Sequence, residues 1–75
     1  MKDLVEYIVK SIVSEPDKVN ITEENGDEGL LIKLEVAPDD KGRVIGRQGR
    51  VAQAMRTLLR VKAAKEDTRV RLEIL

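Results

Sequence analysis

The first part of the chain carries apolar residues in adjacent pairs that recur every four residues. They are Leu4, Val5, Ile8, Val9, Ile12 and Val13. This spacing places them on one stripe of a helix over residues 3–14. Because many of them are β-branched, the stripe must pack against another part of the protein to be stable. Glu15-Pro16 follows, and since the residue before a proline avoids the α region, we predict that the helix ends there.

Apolar and polar residues then alternate in two segments, which predicts two strands. In residues 18–24, Val19 and Ile21 face one way. In residues 30–36, the side chains that share a face are Leu30, Ile32, Leu34 and Val36. The segment 24–29 between the two strands contains two glycines and is typical of a turn. The pattern therefore favours an antiparallel hairpin.

The remaining residues predict two helices and a last strand. A short helix of about two turns follows Asp39-Asp40, either of which can cap its amino end, and it ends near Ile45. Helical periodicity resumes over residues 50–63. The side chains expected on one side of this helix are Val51, Met55, Leu58 and Lys62, flanked by Ala54 and Leu59. Alternation over residues 70–74 predicts a strand, so the order of elements is α-β-β-α-α-β.

Composition narrows the functions open to a chain of 75 residues, which we take as one domain spanning residues 1–75. The chain has no cysteine and no histidine. It therefore lacks thiolates, the commonest general base and the commonest transition-metal ligand. No apolar run is long enough to span a membrane, and no secretion signal is visible. We expect a protein that is not an enzyme and that needs no metal, cofactor or membrane.

Charge is distributed unevenly although the formal net charge is zero. Residues 1–40 carry four Lys/Arg and eleven Asp/Glu, a net charge of −7, whereas residues 41–75 carry ten and three, a net charge of +7. Within residues 41–62 there are seven basic residues and no acidic one. This asymmetry indicates a face that binds a polyanion. A solvated helix face that happens to be basic would give the same pattern.

The candidate chemistry lies in the loop Gly46-Arg47-Gln48-Gly49, between the two predicted helices. Glycine adopts positive φ and lets another chain approach the backbone closely. The helix after the loop begins with unpaired N–H groups and carries a partial positive charge at that end. Such an end binds phosphate, and Arg47 and Arg50 add guanidinium donors beside it. Taken alone, Gly-x-x-Gly is a weak signal, because an ordinary glycine-rich turn has the same form.

The run Val44-Ile45-Gly46-Arg47-Gln48-Gly49-Arg50 resembles the signature of KH domains, and the element order resembles their type II arrangement. The length and the run from Pro38 to Ile45 resemble the small bacterial proteins that consist of a single KH domain (the KhpA or YlqC family). The resemblance implies an α+β fold, with a three-stranded mixed sheet and three helices on one face. It also implies a groove for about four nucleotides, with the Gly-x-x-Gly loop clamping their backbone.

Carried over by position, the resemblance implies a set of RNA-binding residues around the loop. Gly46 and Gly49 would allow close approach, Arg47 and Gln48 would contact phosphate or sugar, and Ile45 would line the groove. The full set is Lys41, Arg43, Val44, Ile45, Gly46, Arg47, Gln48, Gly49 and Arg50. Whether Arg56 and Arg60 extend the RNA path or form a solvated face stays open.

The function that follows from the resemblance is binding of single-stranded RNA in the bacterial cytoplasm, as an RNA chaperone or post-transcriptional regulator. The resemblance further suggests a homodimer, a heterodimer with a second KH-containing protein, or both. The alternative from the residues is a protein–protein module, in which the acidic half docks a basic partner or a second copy. A metal or acid/base role for Asp39-Asp40 is disfavoured, because adjacent residues do not point the same way.

Overall fold

The computed structural model describes residues 1–75, and it confirms the predicted order α-β-β-α-α-β. The three helices are α1 (Lys2–Ile12), α2 (Lys41–Ile45) and α3 (Arg50–Lys65). The three strands are β1 (Asn20–Gly26), β2 (Gly29–Glu35) and β3 (Val70–Ile74). Short 3-10 turns occupy Pro16–Lys18, Pro38–Asp40 and Arg47–Gly49. The fold class is α+β, as expected.

The strands form one mixed sheet in the order β1-β2-β3. β1 pairs antiparallel with β2, and β2 pairs parallel with β3. In this register Ile21 lies opposite Leu34, and Ile32 lies opposite Leu72. Paired residues point to the same face of a sheet, so these four side chains share the face that the helices cover. β1 and β3 are the two edges of the sheet.

The hydrophobic core lies between this face and the helices, and all six helices and strands contribute to it. Its buried side chains are Val5, Val9, Ile21, Ile32, Leu34, Val44, Met55, Leu59 and Leu72. The core contains no aromatic ring, so its packing depends on close contact among branched aliphatic side chains. α1 supplies the β-branched pair Val5 and Val9, both fully buried, which explains how a helix of modest propensity is held in place.

Element ends differ from the sequence-based predictions by a few residues. α1 ends at Ile12 rather than at residue 14, with Val13 already extended. β1 begins at Asn20, because Pro16–Lys18 form a 3-10 turn before it. α3 continues to Lys65, beyond the predicted end at residue 63. Helix ends are the least predictable part of an element because the terminal turns lack a full set of backbone bonds.

The buried side of α3 also differs from the prediction. The fully buried positions are Ala52, Met55, Leu59 and Ala63, whereas Leu58 and Lys62 are exposed. The residues predicted to share one side of the helix therefore do not form its buried side, although Met55 belongs to both groups.

Candidate nucleic-acid interface

The loop begins where α2 ends, at Gly46. Gly46 has φ 77° and ψ 171°, a conformation that is essentially restricted to glycine. Its N–H donates to the carbonyl oxygen of Gly42 at 2.8 Å. A Cβ at this position would lie 2.5 Å from Cγ2 of Val51 and 2.8 Å from the Val51 nitrogen. Gly46 therefore lets the chain turn directly against the first turn of α3.

The loop ends at Gly49, which has different surroundings. Gly49 is left-handed, with φ 73°, and a Cβ added there would meet no atom within 4 Å. The backbone at Gly49 is thus open on the side where a side chain would project. Gln48 also has positive φ, 58°, so two consecutive left-handed residues fold the chain into the start of α3. An open glycine backbone is the feature that permits close approach of another chain.

The side chains around the loop face solvent. Arg47, Gln48 and Arg50 are exposed, and a guanidinium nitrogen of Arg50 donates to Oε1 of Gln48 at 3.3 Å. Ile45 keeps 37% of its surface exposed, which leaves an apolar contact at the edge of the basic loop. The arrangement presents cationic donors, an amide and an apolar side chain on one stretch of surface.

The backbone amides of the loop are less free than the sequence predicted. The N–H of Gly49 donates to the Gly46 carbonyl at 3.1 Å, and the N–H of Arg50 donates to the Arg47 carbonyl. No side chain caps the amino end of α3. The loop is therefore held by its own hydrogen bonds, and the amino end of α3 keeps its positive dipole uncompensated by any acidic residue in the first turn.

Val44 and Arg43 differ from the other predicted RNA-binding residues, because Val44 is buried and Arg43 lies beside a carboxylate. Val44 is fully buried in the hydrophobic core, so its side chain supports the loop from beneath and has no surface to offer RNA. The inclusion of Val44 among the predicted RNA-binding residues is corrected accordingly. Nε of Arg43 lies 3.6 Å from Oδ1 of Asp40, so this guanidinium is already beside a carboxylate. Lys41 is exposed.

Asp40 is the feature that the sequence analysis missed. Its side chain is 1% exposed and makes no capping bond to its own helix, so the predicted cap is wrong; Asp39 makes none either. Instead, Oδ1 accepts from the Ser14 N–H at 2.9 Å and Oδ2 from the Glu15 N–H at 3.0 Å. The hydrogen bond from Ser14 is the largest effect and lowers the pKa of the Asp40 carboxyl. The bond from Glu15 and the charge of Arg43 also lower this pKa, whereas burial raises it.

A second basic surface lies along the side of α3 that faces the edge strand β3. A cleft there is lined by Arg56, Leu59, Arg60, Val70, Arg71 and Leu72. A guanidinium nitrogen of Arg56 donates to the Leu72 carbonyl at 3.4 Å, which ties the helix to the strand. Three of its six lining residues are arginines, so the cleft is positively charged, as a surface that follows a nucleic-acid backbone would be.

None of the helices has the length and apolar character needed to cross a bilayer. No group of three or more acidic side chains is arranged to hold a metal ion, and the chain has no histidine or cysteine to contribute to one.

Comparison with known proteins gives both a family and named relatives. The sequence profile of the KhpA/KhpB KH domain matches residues 2–74. The chain is 48% identical to the RNA-binding protein KhpA of Clostridium acetobutylicum over the full length of both chains. It is 49% identical to the KhpA of Caldanaerobacter subterraneus, again over both full lengths. It is 47% identical to the KhpA of Borreliella burgdorferi, over 97% of this chain and 89% of that one. No solved structure matches. The chain belongs to the KhpA/KhpB family of KH domains.

Proposed function

We propose that this protein binds single-stranded RNA by gripping the sugar–phosphate backbone at the loop Gly46–Gly49. The observation that carries the proposal is the open backbone at Gly49, where nothing lies within 4 Å of a would-be Cβ, beside the exposed side chains of Arg47 and Arg50. A bare backbone admits the strand, and the guanidinium groups bind its phosphate oxygens. Relatives that carry the name RNA-binding protein support the same function.

The residues around the loop make different kinds of contact with the RNA. Arg47, Gln48 and Arg50 contact phosphate or sugar, and Lys41 adds charge one helix earlier. Ile45 gives an apolar contact to a base or ribose. The strand continues along the cleft between α3 and β3, where Arg56 and Arg60 stand beside Leu59. Contacts made mainly to the backbone give low base selectivity, which suits an RNA chaperone or post-transcriptional regulator in the cytoplasm.

The double variant Arg47→Asp/Gln48→Asp tests this function. It places negative charge where phosphate would bind, and Asp tolerates the positive φ of residue 48. We expect binding of a labelled single-stranded RNA, measured by fluorescence anisotropy, to be abolished while circular dichroism reports an intact fold. The control is Lys18→Asp/Asn20→Asp, which makes the same change in net charge at two exposed positions away from the loop. Unchanged affinity in the loop variant, or equal loss in both variants, would refute the assignment.

A second candidate function, self-association, is favoured by the outward side of α3. Leu58 is 49% exposed and Val61 is 53% exposed, and Ala54 lies one turn before them on the same side. Such a stripe on a very small domain is suited to burial against the same stripe of a second copy. The same surface could be used for pairing with a second KH-containing protein. Sedimentation of the variant Leu58→Asp tests self-association.

A further inference from the structure

Asp40 is the only charged or polar side chain that the fold buries. Both carboxylate oxygens accept backbone N–H groups from residues 25 and 26 positions earlier in the chain, Glu15 and Ser14. Arg43 closes the group from the solvent side, with Nε 3.6 Å from Oδ1. A buried charge is stable only when paired and hydrogen-bonded, and here every bond joins the start of α2 to the segment after α1.

α2 is too short to hold its position by itself. It has five residues, far below the about 12 that an isolated helix needs for marginal stability in water. Val44 anchors its carboxyl end in the core, and Asp40 anchors its amino end. Gly46 follows directly and donates its N–H back to Gly42. The loop itself is held by its own hydrogen bonds and by the close approach of Gly46 to Val51. The helix that leads into it is held by two anchors, and only one of them, Asp40, is polar.

We propose that Asp40 is a positioning residue for RNA binding: its carboxylate fixes α2 to the backbone of Ser14 and Glu15 and so holds the Gly46–Gly49 loop in its binding conformation, without contacting RNA. The inference rests on the proposed function. It makes a prediction opposite to that of simple electrostatics. Removing a negative charge beside a polyanion site should strengthen binding, whereas loss of the anchor should weaken it.

The experiment compares Asp40→Asn with Asp39→Asn. The two variants make the same change in charge at adjacent residues, but Asp39 is exposed and makes no side-chain hydrogen bond. Asn keeps the shape of Asp and turns one acceptor into a donor that faces an N–H group. If about a tenth of molecules then keep the loop in place, the RNA dissociation constant rises about tenfold. Asp39→Asn should bind RNA equally well or slightly more tightly.

Binding is expressed per folded molecule, with the folded fraction taken from circular dichroism and sucrose added to both variants where Asp40→Asn is partly unfolded. Amide hydrogen exchange gives a second readout that needs no RNA. We expect faster exchange at Gly46 and Gly49 in Asp40→Asn but not in Asp39→Asn, with little change at Ile32 in the core. Equal acceleration at all three amides would indicate a merely structural role.

The possible outcomes separate the two proposals. If the wild-type protein binds no RNA, the proposed function fails, and the positioning role fails with it. If the wild-type protein binds RNA but Asp40→Asn binds it as tightly as Asp39→Asn does, only the positioning role is overturned. Weaker binding together with selectively faster exchange in the loop supports both.

Discussion

At the scale of single residues, the two glycines of the loop make separable contributions. Gly46→Ala would place a methyl group against the backbone of Val51 in a conformation that only glycine adopts readily. Gly49→Ala meets no atom and adds only the strain of a left-handed residue, about 1–2 kcal/mol. We expect urea unfolding to show a larger loss of stability, above about 2 kcal/mol, for Gly46→Ala.

For RNA binding we expect the opposite order. When affinity is measured per folded molecule, Gly49→Ala should weaken binding more than Gly46→Ala does. The methyl group of Gly49→Ala points into the open space that the proposed RNA backbone would occupy, whereas that of Gly46→Ala points into the protein. A Gly49→Ala variant that binds RNA as well as the wild type would contradict a close approach at this residue, even if its stability is as expected.

The Asp40 carboxylate should make the stability of the fold depend on pH in the acid range. Its pKa in the folded protein lies below the ordinary value of 3.8, so the carboxylate stabilises the fold fully above that value. The contribution is lost as the pH falls through the lower, folded-state pKa. The difference in unfolding free energy between wild type and Asp40→Asn should be constant at neutral pH and shrink below a pH of about 4. Thermal unfolding of both proteins across this range measures it, and a difference that persists unchanged in acid would contradict a stabilising contribution from the ionised Asp40 carboxylate.

The role of Asp40 could not be predicted from the sequence. Asp next to the start of a helix is typical of a cap, and local pattern gives no sign of a partner 26 residues away. The loop glycines were predictable, because a positive φ and close approach are properties of glycine itself. The role of a residue can thus be predicted from the sequence when it depends on the residue itself or on its neighbours in the chain. It cannot be predicted when the fold supplies a distant partner.

At the scale of elements, periodicity predicts that α3 is a helix but does not predict which of its sides is buried. Apolar residues lie on two sides of this helix: one side contains Met55 and Leu59, and the other contains Leu58 and Val61. A sequence pattern cannot choose between them. In the structure the first side is the buried one, and Ala52 and Ala63 are buried with Met55 and Leu59. The alternating strands left no such ambiguity, since their period of two assigns each side chain to one face.

The adjacent residues Leu58 and Leu59 provide a matched pair for testing this orientation. Leu59 is 1% exposed and Leu58 is 49% exposed. We expect Leu59→Ala to destabilise the fold by about 2–5 kcal/mol and Leu58→Ala to change it by less than about 0.5 kcal/mol. Chemical unfolding should be followed at low protein concentration, so that self-association does not add to the result. Equal effects of the two substitutions would contradict the orientation of α3.

At the scale of the whole molecule, the charge asymmetry along the chain becomes an asymmetry across the sheet. The strand order places the acidic hairpin of β1 at one edge and the basic α3–β3 side at the other. The sequence predicted the two charged halves and the resemblance predicted the mixed sheet. In the structure, β2 separates the two charged edges. A protein of zero net charge can therefore present a basic surface to RNA while its acidic edge discourages binding elsewhere.

Self-association would join two weak RNA sites into one stronger one, and this links α3 to the function of the whole assembly. A dimer that contacts two tracts of one RNA converts the second contact into an intramolecular step, which can raise the affinity about 10²-fold or more. Leu58→Asp places a charge in the proposed dimer stripe but lies outside both the loop and the core. We expect this variant to sediment as a monomer while the wild type is dimeric at high concentration.

RNA binding by Leu58→Asp should then depend on the length of the RNA. For an RNA with a single short tract, the variant and the wild type should bind with similar affinity, because each site is intact. For an RNA with two tracts joined by a flexible linker, only the wild type should gain affinity, since the monomer engages one tract at a time. A wild-type protein that sediments as a monomer at every concentration would remove the basis for this gain. A monomeric variant that still gains from the second tract would show that the gain does not arise from pairing of two copies through α3.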